Sequence, residues 1–290
     1  MSYKDHIYDK TTNTSFTYSL SLSSLRKDNL YINFSKMEVI AIAQHKGGVG
    51  KTTSALGIGH SLVLLGHRVL LIDCDPQSNL TSTFAGVQAP NLCMVLRGEA
   101  TLAEVVQPVG DRLSLIASRP ELSPLERMIG ADATHPNLLR RQLVGLQGQF
   151  DYVIIDTPPS MGPMTVMSLT AAHFVLAPMR PDPFAFAGFY KLLDMLEAVR
   201  DNFNPALELK GVFLTQYHPS YRGQVYHDFA EELAQQPRVK GLLTDRSIRI
   251  NAKLVEAVAL KKSIHAHAPE SNSAHDYLAL TQEILTRIAQ

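Results

Sequence analysis

The sequence predicts an α/β protein: a parallel, twisted sheet flanked by helices. Three observations predict it. From residue 38 to residue 290, short apolar runs alternate with longer stretches of helical period, the pattern of a sheet whose strands are joined by crossover helices. The run Val69–Ile72 is apolar at four consecutive positions, as expected of a strand covered on both faces. The first apolar run is joined to the first helical stretch by a glycine-rich loop.

That first strand is Val39–Ala43, and the helix after the loop is Ala55–Leu65. Between them stands Lys46-Gly47-Gly48-Val49-Gly50-Lys51-Thr52-Thr53. Gly47, Gly48 and Gly50 lack a Cβ, so the backbone can bend tightly and turn its N–H groups onto phosphate oxygens. A helix start adds the positive end of a dipole. Lys51 can place its ammonium between β- and γ-phosphates, and the Thr52 hydroxyl can bind Mg²⁺. Strand, loop and helix in this order are the context that a phosphate-binding loop requires. Lys46 through Thr53 are therefore the candidate nucleotide-binding residues.

The next strand, Arg68–Asp73, runs into Cys74-Asp75-Pro76-Gln77-Ser78. Carboxylates at the carboxyl end of a strand lie on the rim where open α/β sheets bind ligands. Asp75 is the candidate for orienting an attacking water, with Asp73 assisting at a metal through a water. Capping of a following helix by Asp75 or Ser78 is the competing reading. Leu92–Leu96 reads as a short helix and Leu113–Ala117 as a strand, with a loop from Ser118. Asn137–Leu146 reads as a helix, stopped near Gly148. Tyr152–Ile155 is a strand closed by Asp156, an acid placed to hold Mg²⁺ or its waters. Pro158 and Pro159 stiffen the loop that follows.

His173–Ala177 is another strand and Phe189–Arg200 an amphipathic helix. Lys210–Thr215 is a strand, followed by a polar loop over 216–222 and a helix to about Gln235. Val239–Leu243 reads as a last short strand. Asp245–Lys262 gathers Arg246, Arg249, Lys253, Lys261 and Lys262 against Asp245 and Glu256. Ser273–Ala289 is the closing helix. No linker interrupts residues 37–290, which read as one domain.

Formal net charge is zero, so any attraction for DNA must come from a local basic patch. Two cysteines, Cys74 and Cys93, cannot by themselves build a disulfide framework or a four-ligand zinc site, and a reducing cytoplasm suits them. No apolar run approaches the length of a bilayer span. Residues 1–36 are rich in Ser, Thr, Tyr and Asn without a sustained period. They read as a mobile tail or, because Met37 directly precedes the first strand, as a mis-set start; a partner-docking arm is the sharper alternative. His265, His267 and His275 read as surface histidines.

Three nucleotide motifs and one C-terminal segment carry a resemblance. Lys46-Gly47-Gly48-Val49-Gly50-Lys51-Thr52-Thr53, with its early lysine, resembles the deviant Walker A motif of the ParA/MinD ATPases. Asp73-Cys74-Asp75-Pro76-Gln77 resembles the second nucleotide motif of that family, and Asp156-Thr157-Pro158-Pro159-Ser160 the third. Gln44 and His45 depart from it, since many relatives carry asparagine two places before the lysine. The resemblance implies a P-loop NTPase fold, ATP with Mg²⁺, and catalysis involving Lys46, Lys51 and Asp75. It implies a metal held at Thr52, Asp73 and Asp156. It also implies a sandwich homodimer in which Lys46 reaches the partner's phosphates. The segment Ile248–Ala257 resembles the C-terminal part of ParA-type (Soj-like) partition ATPases. This implies non-specific DNA contacts by Arg222, Arg246, Arg249 and Lys253, a ParB-like adaptor protein that speeds hydrolysis, and a nucleoid-associated life in the cytoplasm. A MinD-like, membrane-cycling ATPase is the alternative. The closing helix lacks the basic polar face that a membrane-targeting helix needs. An electron-transfer ATPase would need cysteines placed to share a cluster, and Cys93 has no such context.

Overall fold

The structure is a computed structural model, and it describes residues 37–87, 90–130, 135–182, 185–220 and 223–290. The readings of residues 1–36 and of Arg222 lie outside these residues.

Seven strands form one sheet: β1 (Glu38–Ile42), β2 (Val69–Asp73), β3 (Gln107–Gly110), β4 (Leu113–Ile116), β5 (Tyr152–Asp156), β6 (Phe174–Met179) and β7 (Glu208–Leu214). Their order across the sheet is β3-β4-β2-β5-β1-β6-β7. Every neighbouring pair is parallel except β3–β4. The α/β architecture expected from sequence is therefore present, with one addition at its edge. Strand β3 contains Pro108, which has no N–H to donate and is tolerated at an edge.

The helices are α1 (Lys51–Leu64), α2 (Asn79–Ser82), α3 (Leu92–Leu96), α4 (Leu122–Ile129), α5 (Leu138–Leu143), α6 (Pro163–Ala171), α7 (Ala185–Asn202), α8 (Gln224–Gln235), α9 (Ala252–Ala259), α10 (Ile264–His267) and α11 (Asn272–Ile288). Alternate residues of β1 feed two separate cores. Ile40 and Ile42 pack with Ile58 and Leu62 of α1 and with Tyr277, Leu280 and Ile284 of α11. Val39 and Ala41 belong to the opposite core, with Met164 and Met167 of α6 and Phe189 and Leu192 of α7. Burial on both faces explains why the strands read as unbroken apolar runs rather than alternating ones.

Val239–Leu243 is not a strand. Residues Pro237–Val239 form a single 3₁₀ turn, and Gly241 takes a positive φ of 79°. Within this stretch it is Leu243 that bridges to the sheet, opposite Val212. Val239 is buried, so its apolar character serves packing against the sheet edge rather than a ladder.

Register decides what the sheet presents at its rim. Asp156 pairs with Ile42 on one side and with Asp73 on the other. The last residues of three adjacent strands thus lie level, directly beneath the loop that leaves β1. Connections that leave a parallel sheet in opposite directions open a crevice at such a point.

Candidate functional site

The loop over 43–50 leaves β1 and delivers the chain to α1. Gly48 and Gly50 adopt φ of 73° and 90°, the left-handed region where a side chain is costly. Gly50 is the residue before the first helical turn, so α1 begins at Lys51, four residues earlier than its apolar period suggests. Space around Gly47 and Gly48 is open. The buried Gln44 side-chain amide oxygen accepts the His45 N–H at 2.8 Å and so steadies the loop's entry.

Lys51 is 7% exposed and donates to the Lys46 carbonyl at 3.2 Å. Burial lowers its pKa below the ordinary lysine value, while the charges of Asp156 and Asp75 oppose that shift. Lys46 does not lie over the loop. Its ammonium forms an ion pair with Asp182 of the same chain, just before α7.

The acids divide their work. Asp73 is fully buried. It accepts the Asp75 N–H at 3.0 Å, and the N–H and hydroxyl of Thr81 at 2.8 and 2.7 Å. Desolvation raises its pKa to about 6 despite these donors. Asp73 therefore holds the loop over 74–81 in shape, with most of its acceptor capacity committed. Asp75 accepts the Gln77 N–H through Oδ1 at 2.9 Å, a bond within the turn before α2, so the reading of Asp75 as a helix cap is corrected. Its carbonyl takes the Ser118 hydroxyl at 2.7 Å, and Ser118 N–H donates to the Thr81 hydroxyl oxygen at 2.9 Å. Ser78 makes no side-chain cap.

Asp156 is different. Both of its carboxylate oxygens are buried and meet no donor at full hydrogen-bonding geometry, with the Thr52 hydroxyl close by. Burial pushes its carboxyl well above the ordinary value, and the neighbouring Asp73 adds to the effect; the Thr52 hydroxyl and Lys51 favour the charged form. An acceptor in that condition is expensive unless a cation meets it. A hard dication bound between Thr52 and Asp156 fits this donor set. Among the described residues no cluster of three or more His, Cys, Asp or Glu side chains is arranged around a metal position. Such an ion would have to draw its remaining ligands from phosphate and water, as Mg²⁺ commonly does.

Gly47, Lys51, Thr52, Asp75 and Pro159 line a cavity of about 450 Å³. A second cavity of about 560 Å³ shares Gly50 and Thr53 with the first and continues past Thr215, Gln216, Ile250 and Val255. Gln216 in its wall has a φ of 55°, a strained conformation for a residue with a side chain.

A relative from Caulobacter vibrioides, "Chromosome partitioning protein ParA", is 35% identical over 260 residues, covering 87% of this chain and 95% of its own. The "Chromosome-partitioning ATPase Soj" of Thermus thermophilus is 37% identical over 265 residues, covering 88% and 98%. The chain belongs to the ParA/Soj family of partition ATPases. A family model described as an AAA domain matches residues 37–209 of this ParA-family chain. Among solved structures, the cobyrinic acid a,c-diamide synthase of Mycobacterium smegmatis with bound ADP and magnesium superposes with a TM-score of 0.75. It is 29% identical, covering 88% of this chain and 96% of its own.

The basic segment of this ParA-family chain is less uniform than its sequence. Arg249 is committed: its guanidinium meets both Asp276 oxygens at 2.6 to 3.1 Å, and its N–H adds a bond of 3.0 Å. A phosphate contact by Arg249 would have to draw its guanidinium away from Asp276. Lys253 pairs with Glu256 at 2.9 Å on the exposed side of α9. Arg246, Lys261 and Lys262 are exposed. Between them the segment shows Ile250, Val255 and Leu260 to solvent.

His265 is half-buried and bonds the Ser61 hydroxyl at 2.9 Å, which corrects its reading as a surface residue. His267 meets Glu256 and His275 meets Glu270, so the three histidines share no centre. Cys74 and Cys93 are buried free thiols, and burial pushes the Cys74 thiol up to about 12. The sequence reading missed Asp182, Thr81, Ser118 and Thr215. Thr215 directly follows a strand at the ligand-binding rim, and that position was a usable signal.

Proposed function

We propose that this chain is a Mg²⁺-dependent ATPase that closes as an ATP-loaded homodimer, holds DNA without sequence preference, and releases it on hydrolysis. The observation that carries the reading is the pair of buried Asp156 oxygens beside the Thr52 hydroxyl, level with a glycine-rich loop and a buried lysine. Triphosphate would lie along Gly47–Thr53, with Lys51 between its β- and γ-groups. The adjoining cavity, whose walls include Ile248, Ile250 and Val255, suits a nucleotide base. Magnesium, held by Thr52 and Asp156, would supply positive charge to the phosphate oxygens. Asp73 acts one step away by fixing the peptide of Asp75, which orients water. Lys46 exchanges Asp182 for the phosphates of the partner copy.

The supporting experiment is a hydrolysis assay titrated with magnesium. Asp156→Ala is expected to raise the half-saturating Mg²⁺ concentration at least tenfold and to lower turnover at least a hundredfold. Unchanged magnesium dependence would reject the assignment.

DNA binding falls to Arg246 with Lys253, Lys261 and Lys262. Phosphate contacts of this kind give salt dependence without base readout. Arg246→Ala in the ATP-loaded protein is expected to weaken binding equally on unrelated duplexes. The slope of log K against log salt should flatten by about one for each phosphate that the variant no longer neutralises. A loss confined to one sequence would contradict the reading.

A membrane-cycling role finds less support. The apolar face of α11 is already spent, with Tyr277, Leu280 and Ile284 buried in the core beside α1. No helix among the described residues is long and apolar enough to cross a membrane. By its likeness to the partition ATPases, the proposal places the protein in the cytoplasm on the nucleoid, with a ParB-like adaptor protein stimulating a slow intrinsic ATPase. Its cargo is a plasmid or a chromosome region.

A further inference from the structure

Two buried threonines, each just beyond the end of a strand, bond to the chain at the two ends of the phosphate loop. Thr157 follows β5 and donates its hydroxyl to the Ile42 carbonyl at 2.9 Å, where the chain leaves β1. Thr215 follows β7 and donates its hydroxyl to the Val49 carbonyl at 2.9 Å, where the loop ends. A second carbonyl, that of Met179, lies farther from the Thr215 hydroxyl at 3.4 Å. The two threonines are 1% and 3% exposed. Thr215 is itself fixed: its N–H donates to the Met179 carbonyl at 2.8 Å, and it bridges to Ile248.

The bond to Val49 has a directional consequence. A trans peptide points its carbonyl and its following N–H to opposite sides. Holding the Val49 carbonyl against Thr215 therefore turns the Gly50 N–H away from Thr215. Gly50 lines the phosphate cavity, whereas Val49 is 2% exposed and does not. Gly50 has a φ of 90°, a conformation glycine leaves easily, so an external restraint matters more here than at an ordinary residue. Thr215 also lines the neighbouring cavity assigned above to the base.

We infer that Thr215 is a positioning residue for phosphate binding: its hydroxyl orients the Gly50 N–H before nucleotide arrives and links the base cavity to the phosphate loop. The inference rests on the reading of residues 46–53 as the phosphate site. It concerns preorganisation, which favours binding by lowering the cost of ordering the donor.

The test separates phosphate from base. Affinities for Mg·ATP and for inorganic tripolyphosphate with magnesium are measured by calorimetry on the full chain. Thr215→Val keeps the shape and removes the hydroxyl; it is expected to weaken both ligands about tenfold. Thr215→Ser keeps the hydroxyl and is expected to bind both within about twofold of the parent. Thr215→Ala, which cannot overpack the site, repeats the valine result should Thr215→Val fold poorly. Tripolyphosphate bound equally by parent and valine variant would overturn the inference, and so would a serine variant as weak as valine. Loss of ATP affinity alone would also overturn it, since the effect would then belong to the base cavity. Failure of the parent protein to bind either ligand would instead reject the nucleotide reading itself.

Discussion

Lys46→Ala is expected to abolish the ATP-dependent dimer while leaving the monomer folded. The fold can spare this side chain. Its ion pair with Asp182 is partly exposed, at 32% and 21% for the two side chains, and pairs of that kind contribute about 0–1 kcal/mol. Exchanging Asp182 for a partner's phosphates is therefore cheap, which suits a residue that must change partners. In the proposed dimer the same ammonium would be enclosed against a polyanion. Truncating one member of a buried, hydrogen-bonded charge pair costs about 2–5 kcal/mol. Two copies are lost per dimer, so dissociation should rise by about a thousandfold or more. Analytical ultracentrifugation with a non-hydrolysable ATP analogue gives the readout. A variant that still sediments as a dimer at micromolar concentration would end the proposal of a shared nucleotide face. Asp182→Asn is the useful companion. It frees Lys46 without removing it, and it should dimerise at least as well as the parent.

How much of this was legible in the sequence depends on the kind of contact. Strands β1, β2, β5 and β6 were visible because burial on both faces leaves an apolar run, and β4 was visible despite its half-buried Ser114. The phosphate loop was visible because its chemistry is local, confined to residues 46–53. Helix α6 was not, because Met164, Thr165, Met167, Ser168 and Leu169 are all buried and leave no polar face to reveal a period. Strand β3 was hidden by Pro108 and by its place at the edge. The ion pairs Lys46–Asp182 and Arg249–Asp276 join residues far apart in the chain, and nothing in either local segment announces its partner. For that reason Asp245–Lys262 read only as a group of basic residues set against Asp245 and Glu256. In the folded chain one of its arginines braces α11, and part of its face is apolar.

Asp75 gives the second large effect, and the structure indicates which variant to use. Its Oδ1 accepts the Gln77 N–H, while its backbone N–H and carbonyl are held by Asp73 and Ser118. Alanine would remove both that bond and the carboxylate, mixing a structural loss of about 1 kcal/mol with the catalytic one. Asn retains an oxygen for the bond and keeps the loop, but it is a far weaker base and carries no charge. Asp75→Asn is therefore expected to lower turnover about 100- to 10,000-fold, the usual contribution of a positioned acid–base group. ATP affinity and dimer formation should stay within a few-fold of the parent. The variant would accumulate as an ATP-bound dimer that stays on DNA, since the step that releases it has been slowed. Single-turnover hydrolysis measured alongside DNA retention distinguishes the alternatives. Unaltered turnover would remove Asp75 from the chemistry and leave it as a turn residue. Slow turnover with a lost dimer would mean that the loop over 74–81, rather than the carboxylate, is what the substitution disturbed. Asp73→Asn provides the contrast. An amide there keeps one acceptor oxygen but turns an NH₂ group toward donors that Asp73 now accepts. That variant should disorder the loop and lose dimerisation and hydrolysis together, whereas Asp75→Asn should separate them.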